Sequence, residues 1–316
     1  MEEKSQILEI LSDGSWHDRE HLSAQLGISG SELEVQLDSL RRSHPELRQV
    51  PELGVCLPRE PQRYDRRLLE ALAGRPVEVF DTIGSTNDAA RELFEQGAPH
   101  GAAALADQQT AGRGRMGRPF VSPSGTGIYV SVLLTAPAAL ENAHLVTPAA
   151  AVVTAGILER FTRAEIGIKW VNDLYCRGYK IAGILCEALR TKERTEALII
   201  GFGVNVFSQD FPDMTGNRPG AIADFSPAPP SMDLLISALL RQIDDCLRHL
   251  DDPKYMQAYR ACSCVINQPI LVKEPHGTYE AFAEDIDEQG RLLIRCGSEK
   301  KYLCSGEISI RPISSR

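Results

Sequence analysis

What most constrains this chain is that its hydrophobic rhythm changes twice along its length, and no single layer of secondary structure can satisfy all three patterns. Residues 1–57 carry short helical spacings: Ile7, Leu8 and Leu11 share a face, followed by helical stretches at 21–26 and 32–42. Gly27 and Ser29 supply a turn and a polar cap between the last two, the arrangement of a helix-turn-helix, and 47–57 has the length for a two-stranded wing. Pro58, Pro61 and the charges between them read as a linker. From Tyr64 helix and strand alternate. Apolar runs at 77–80, 102–106, 128–134, 166–170 and 197–206 read as sheet strands. Arg177-Gly178 marks a hairpin between Tyr175 and 181–185. Helices are expected at 86–96, capped by Ser85 or Thr86, at 148–161, opened by Pro148, and at 232–250. Beyond Cys264 only short strands remain, split at 275–277, 289–290 and 297, the rhythm of a small β-barrel. The expected class is therefore α+β in three domains: 1–63 a winged helix-turn-helix, 64–263 a central α/β domain, and 264–316 a small β domain.

Composition narrows the function. With 43% hydrophobic and 24% charged residues the chain is an ordinary globular one. No apolar run approaches the length needed to cross a bilayer, and the first residues are acidic and polar rather than basic then apolar, so a cytoplasmic protein without membrane contact is expected. The eight cysteines are scattered without a C-x-x-C pair and read as reduced packing residues; no metal cluster is expected of them. A net charge of -9 excludes a broad positive field, so any contact with nucleic acid must be local.

The chemistry concentrates in Gly112-Arg-Gly-Arg-Met-Gly-Arg118, three arginines interleaved with three glycines. Glycines let a backbone approach a ligand, and guanidinium forks suit phosphate or carboxylate oxygens. Taken alone, a solvated basic loop or an RNA-binding tract explains the segment equally well. The chain has no G-x-x-x-x-G-K-[ST] cradle, and Gly201-Phe-Gly203 lacks the third glycine of a dinucleotide fingerprint, so any nucleotide must be held otherwise. Lys169 ends an apolar strand and is followed by Asn172 and Asp173, groups that can handle a nucleotide or its magnesium. An isolated lysine there could equally be a surface cation beside a core tryptophan.

Order decides between these readings. Gly84-Ser-Thr-Asn87, Gln109-Thr-Ala-Gly-Arg-Gly-Arg-Met-Gly-Arg118, Lys169-Trp-Val-Asn-Asp173, Lys180-Ile-Ala-Gly-Ile-Leu185, Gly201-Phe-Gly-Val-Asn205 and Gly306-Glu-Ile-Ser-Ile-Arg311 follow one another as in the biotin-protein ligases, which the chain resembles over nearly its whole length. With a helix-turn-helix in front, it is similar to the bifunctional bacterial ligases that also repress the biotin operon. The resemblance implies a mixed-sheet ligase domain of biotin/lipoate ligase type, followed by an SH3-like barrel. It implies ATP-dependent activation of biotin to biotinyl-5'-AMP and transfer to a lysine of the biotin carboxyl carrier protein, with dimerisation through the central sheet. It places biotin against Ser85, Thr86, Asn87, Gln109, Arg113, Gly114, Arg115 and Lys169. The nucleotide falls to Arg113, Arg118, Asn172 and Asn205, and ATP-borne Mg2+ to Asp173. Lys169 and Arg115 are the expected catalytic cations. Hydroxyls and amides at 85–87 and 109 suit a ureido ring, whose polar edge is costly to bury unpaired. Three residues depart from the family's pattern: Val171 replaces a usual proline, Phe120 a common tryptophan and Met116 a frequent arginine. The first two remove no reactive group, and the third lowers the charge of the loop slightly but leaves Arg113, Arg115 and Arg118. Lipoate ligases share the general fold and chemistry, but would not be expected to carry the arginine-glycine loop.

The front domain is a separate question. Leu33, Leu37 and Leu40 form a buried stripe at i, i+4 and i+7, turning Gly30, Ser31, Glu34, Val35 and Asp38 outward. Residues 1–63 hold seven Lys and Arg against twelve Asp and Glu. Acid on a recognition helix repels phosphates, so weak or absent operator binding is expected, with Ser29, Ser31, Arg41 and Arg42 as the candidate DNA contacts. A ligase with a vestigial or protein-binding front domain and a working ligase-repressor are the two readings this leaves.

Overall fold

The computed structural model describes every residue except 1, 14, 44–46, 51–53, 58–63, 163, 208–217, 226–230, 275–276, 305–306 and 311–316. It divides into two compact units, Met1–Gly74 and Arg75–Arg316. The linker expected at 58–63 lies outside the described residues.

The first unit runs α1 (Glu2–Leu11), α2 (Arg19–Leu26), α3 (Gly30–Ser43), β1 (Arg48–Val50), β2 (Gly54–Cys56) and α4 (Arg66–Ala73), with β1 and β2 antiparallel. Ile7, Leu11, Leu22, Leu33, Leu37, Leu40, Leu47 and Val55 form its core, and Leu8 packs on the rim. Helix ends are set by local chemistry. Asp18 accepts from His21 N at 2.9 Å, and Gly27 closes α2 with φ of 67°, a left-handed conformation that glycine adopts without steric cost. Ser29 and Glu32 then cap α3 reciprocally, Ser29 N donating to Glu32 Oε2 at 2.8 Å and Glu32 N to Ser29 Oγ at 3.3 Å. Helix α4 was not foreseen; its Asp65 cap also accepts from Trp16 Nε1 at 3.0 Å.

The second unit opens with β3 (Val77–Ile83), α5 (Thr86–Glu95), β4 (Ala103–Gln109), β5 (Gly127–Leu134), α6 (Pro137–Glu141) and α7 (Ala143–Thr162). It continues with β6 (Ile166–Lys169), β7 (Asp173–Cys176), β8 (Tyr179–Arg190), β9 (Thr195–Asn205), α8 (Met232–Arg248) and α9 (Pro253–Ala261). The seven strands form one mixed sheet in the order β3-β4-β5-β9-β8-β7-β6. Only β3 and β4 run parallel; every other neighbour is antiparallel. Ala89 and Ala90 let α5 sit close on Ala104, Leu133 and Ile199 of the sheet.

Helix α7 differs from expectation in two ways. It begins five residues before Pro148, which lies inside it. A proline within a helix removes one backbone bond, but here Val146, Ala149, Ala150 and Ala151 are buried around it, and packing holds the turn. Although no apolar run was expected to approach bilayer length, α7 is long and apolar enough for that by composition; its most apolar 18-residue stretch is 56% buried, and it packs on α8 and α9.

The remaining strands, β10 (Gln268–Glu274), β11 (Gly277–Ile286), β12 (Leu292–Cys296), β13 (Glu299–Leu303) and β14 (Glu307–Ile310), form a purely antiparallel sheet ordered β13-β12-β11-β10-β14. The expected barrel is not closed: among the described residues no pair joins β13 to β14. Strand β13 instead leaves Glu299, Lys300, Lys301 and Tyr302 exposed, and a charged edge resists further pairing. This sheet is tied to the central one where Trp170 Nε1 donates to Gly290 O at 2.9 Å.

Candidate active site

The C-terminal end of β4 and the paired stretches 183–185 of β8 and 201–203 of β9 border a cleft of about 1060 Å³, counting its part open to solvent. Of the sequence-derived candidates, Ser85, Thr86, Asn87, Gln109, Arg113, Gly114, Arg115, Arg118, Lys169, Asn172 and Asp173 all line it. Asn205 does not. Its carboxamide Nδ2 donates to Gly220 O at 3.0 Å, which fastens the chain after β9.

Ser85 is the N-cap residue of α5, yet its side chain makes no capping bond. Ser85, Thr86 and Asn87 are buried at the first turn of α5, the positive end of the helix dipole, which favours negative or carbonyl oxygen. Thr86 donates from both N and Oγ1 to Gln109 Oε1, at 2.8 and 3.1 Å, and Gln109 Nε2 donates to Ser122 Oγ at 2.9 Å. Ser131 of β5 donates from below, its Oγ 2.8 Å from Thr86 Oγ1 and 2.6 Å from Asn87 Oδ1. Two glycines of β9 make room. A Cβ at Gly201 would stand 2.3 Å from Asn87 Oδ1, and one at Gly203 would stand 2.4 Å from the Phe120 ring.

The arginine-glycine loop is bonded to itself. Gly114 N donates to Arg118 O at 2.7 Å and Phe120 N to Gly112 O at 2.8 Å. Met116, where the family pattern has arginine, is exposed and takes φ of 57°. Phe120, in place of tryptophan, lies over Gly203 and meets Tyr129 edge-on with centroids 6.2 Å apart, so the aromatic wall is kept. Arg113 is engaged by two carboxylates: Nη1 and Nη2 donate to Asp88 at 2.8 and 2.7 Å, and Nε and Nη2 to Glu187 at 3.3 and 3.0 Å. The Arg113 hydrogen bonds hold the Asp88 carboxyl below its ordinary value. Burial pushes Glu187 upward, but the bonds from Arg113 and Asn87 outweigh it and leave that carboxyl lowered too. Arg113 itself is held protonated more firmly than a free guanidinium, chiefly by Asp88.

Across the cleft, β6 delivers Lys169, which is 7% exposed with its ammonium 5.5 Å from the Tyr175 ring centroid. The chain passes through a cis Trp170–Val171 peptide, and Val171 O accepts from Tyr259 Oη at 2.8 Å. Asn172 donates from Nδ2 to Ile184 O at 2.8 Å, which fixes the turn against β8. Asp173 and Lys180 form an ion pair at 2.7 Å, both on the cleft wall. Sequence reasoning had quoted the Lys180 segment without giving that lysine a role. It also passed over Asp88, Glu187 and Ile308, the last reaching the cleft from β14. Spacing within one strand could not reveal these, because each depends on which distant strands become neighbours.

Each DNA-contact candidate can be placed only in part. Ser29 and Ser31 are exposed at the start of α3, and Ser29 Oγ is spent on Glu32 at 2.7 Å. Arg41 and Arg42 lie in the last turn of α3, with side chains outside the described residues. Glu34, expected to repel phosphate, is ion-paired with Arg19 and accepts from Gln49 Nε2 at 3.0 and 3.1 Å.

Residues 79–205 match the Biotin/lipoate A/B protein ligase family, and 265–311 match the Biotin protein ligase C terminal domain. The chain is 29% identical over 314 residues to the bifunctional ligase/repressor BirA of Escherichia coli, covering 96% of each protein. To the biotin--[acetyl-CoA-carboxylase] ligase of Mycobacterium tuberculosis it is 30% identical over 261 residues, 78% of this chain and 96% of that one. The biotin protein ligase of Aquifex aeolicus, solved in complex with biotin and ATP, superposes with a TM-score of 0.64 at 26% identity, covering 74% of this chain and 98% of that one. The mixed sheet, its cleft and the antiparallel sheet behind it are thus those of a known fold, and the chain belongs to the biotin protein ligase family.

Proposed function

We propose that the chain activates biotin with ATP to biotinyl-5'-AMP and transfers the biotinyl group to a lysine of a biotin carboxyl carrier protein. The observation that carries this reading is one cleft that gathers the buried polar cradle of 85–87 and 109, the arginine-glycine loop, Lys169 of β6 and Lys180 of β8. Solved relatives bound to biotin and ATP support the same ligands here. Biotin's ureido group fits the cradle, where hydroxyls and amides replace the water it loses. Its carboxylate attacks the α-phosphorus, the bond to the bridging oxygen breaks and pyrophosphate leaves. The acceptor amine then attacks the acyl carbon, loses a proton to solvent, and AMP departs. Both steps gather negative charge on the phosphate, where Lys169, Lys180 and Arg115 concentrate positive charge in a partly dehydrated cleft. Arg118 and Asn172 line the part of the cleft assigned to nucleotide, and the loop over 112–118 shields the mixed anhydride from water.

Among the described residues no three His, Cys, Asp or Glu side chains form a metal cage. Mg2+ would arrive on the ATP phosphates, and the Asp173 carboxylate on the cleft wall could reach it. When bound, the ion would neutralise phosphate charge.

For the rest of the molecule we assign 1–63 as a winged helix-turn-helix, 64–263 as the ligase domain and 264–316 as an SH3-like domain, the first on the strength of the α2–α3 turn and the β1–β2 ribbon. Cytoplasmic location and a homodimer through the central sheet complete the reading. Operator contact through Ser29, Ser31, Arg41 and Arg42 would be weak: Arg19 relieves Glu34, but Asp38 and Val35 remain outward, Val35 at 69% exposure. Thermal stabilisation by biotin and not by lipoate tests the ligand assignment; stabilisation by lipoate alone would assign the cleft to the other branch of the family.

A further inference from the structure

We infer that Glu187 is a positioning residue for the biotin cradle, one carboxylate that fixes both the Asn87 carboxamide and the Arg113 loop. The inference rests on the proposed reading of the cleft as the biotin site. Glu187 is on β8 and is not part of the cleft wall, so it acts through neighbours that are. Its Oε2 accepts from Asn87 Nδ2 at 2.6 Å and from Arg113 Nη2 at 3.0 Å, while Oε1 accepts from Arg113 Nε at 3.3 Å. Two segments distant in sequence, the first turn of α5 and the loop after β4, thus converge on two oxygens that β8 supplies.

Two consequences follow from donor and acceptor chemistry. An ionised carboxylate only accepts, so Asn87 must turn Nδ2 toward Glu187 and Oδ1 toward Ser131 Oγ, 2.6 Å away. Glu187 therefore dictates which face of the amide the ligand meets. Arg113, for its part, spends Nη1 on Asp88, Nε on Glu187 and Nη2 on both. Its guanidinium is a latch that holds the loop on α5 and β8, and the ligand contact at this position belongs to the backbone of 112–114. The sequence had cast Arg113 as an anion-gripping side chain; Arg115 and Arg118 keep that part.

A positioning role separates binding of biotin from chemistry, because Glu187 touches neither phosphate nor the acceptor. The test compares wild type, E187Q, E187D and D88N by calorimetry with biotin alone, by steady-state pyrophosphate release with biotin and ATP varied in turn, and by thermal melting. Glu187→Gln keeps the size of the side chain and removes its charge. It is expected to raise the biotin Kd and KM about tenfold or more, the size of one lost charged hydrogen bond, with kcat within about threefold and the ATP KM unchanged. E187D, which keeps the charge, should fall between wild type and E187Q. D88N, which loosens the latch without touching Asn87, should have the smaller effect on biotin. A biotin Kd for E187Q within twofold of wild type would overturn the inference, as would a fall in kcat with the biotin KM unmoved. Should E187Q fail to fold, E187D against D88N is read in its place: an equal or larger effect of D88N overturns the inference. Wild-type protein that binds no biotin would instead overturn the reading of the cleft, and the inference with it.

Discussion

Gly201→Ala tests whether the floor of the cradle is built as described. An alanine Cβ at this position would lie 2.3 Å from Asn87 Oδ1, 3.2 Å from Asn87 Cγ and 3.2 Å from Ser131 Oγ. Ordinary carbon-oxygen contact needs about 1 Å more than the shortest of these, so Asn87 must move by roughly that distance. It has little room, being 4% exposed and bonded at 2.6 Å to both Ser131 and Glu187. Moving it breaks at least one of those bonds, and a hydrogen bond to a charged group is worth about 1.5–3 kcal/mol. Taking about 2 kcal/mol as the loss in the biotin complex, affinity should fall roughly 30-fold, with a further penalty of about 1–3 kcal/mol to folding from overpacking. Calorimetric titration with biotin beside a thermal melt separates the two effects. Biotin binding within threefold of wild type in folded G201A would refute the argument, since the displaced Asn87 would then contribute nothing.

Four further outcomes are expected. Gly203→Ala should drive the Phe120 ring off β9 and loosen the loop; faster proteolysis near 112–120 measures it, and unchanged cleavage would contradict the packing assigned to Phe120. Asp88 and Glu187 both have lowered carboxyl values, so the latch they form with Arg113 contributes fully above the ordinary carboxylate range and is lost as pH falls through and below it. Biotin affinity should accordingly stay flat from pH 8 to about 6 and fall only in acid below roughly pH 4.5, whereas a decline centred near neutrality would implicate another group. In the first unit Leu37→Ala empties a fully buried site in the core and should destabilise that unit by about 2–5 kcal/mol in denaturant titrations followed by Trp16 fluorescence. Gel-shift titration of a biotin-operator duplex at physiological salt should show weak retention or none, and nanomolar sequence-specific binding would overturn the reading of α3.

Much of this was legible in one dimension because the signals were local. The leucine stripe of α3, its Ser29 cap and the apolar runs at 102–106 and 166–170, which β4 and β6 largely follow, each rest on spacing within a single element. What escaped the sequence depends on pairing. Asp88 and Glu187 are unremarkable surface-type acids until β8 and α5 are brought to the loop, and Lys180 is a hairpin lysine until Asp173 faces it at 2.7 Å. Pairing also surrounds Asn205, whose motif position says nothing of the chain returning at Gly220, to which its carboxamide donates. Pro148 was read as a helix start because proline suits the first turn, yet burial of its neighbours kept the helix running through it. Strand rhythm announced the five antiparallel strands but not their closure, which is set by which edges meet; among the described residues β13 and β14 are not paired.

The central claim is tested most directly by incubating the full chain with biotin, ATP, Mg2+ and a biotin carboxyl carrier domain, and weighing the acceptor by mass spectrometry beside a Lys169→Ala control. The acceptor should gain one biotinyl group on a single lysine, dependent on ATP and at a rate at least about 100-fold lower in the control, as expected when a charge-stabilising group is removed from a closed site. An acceptor of unchanged mass, in an assay where a known ligase modifies it, would contradict the account.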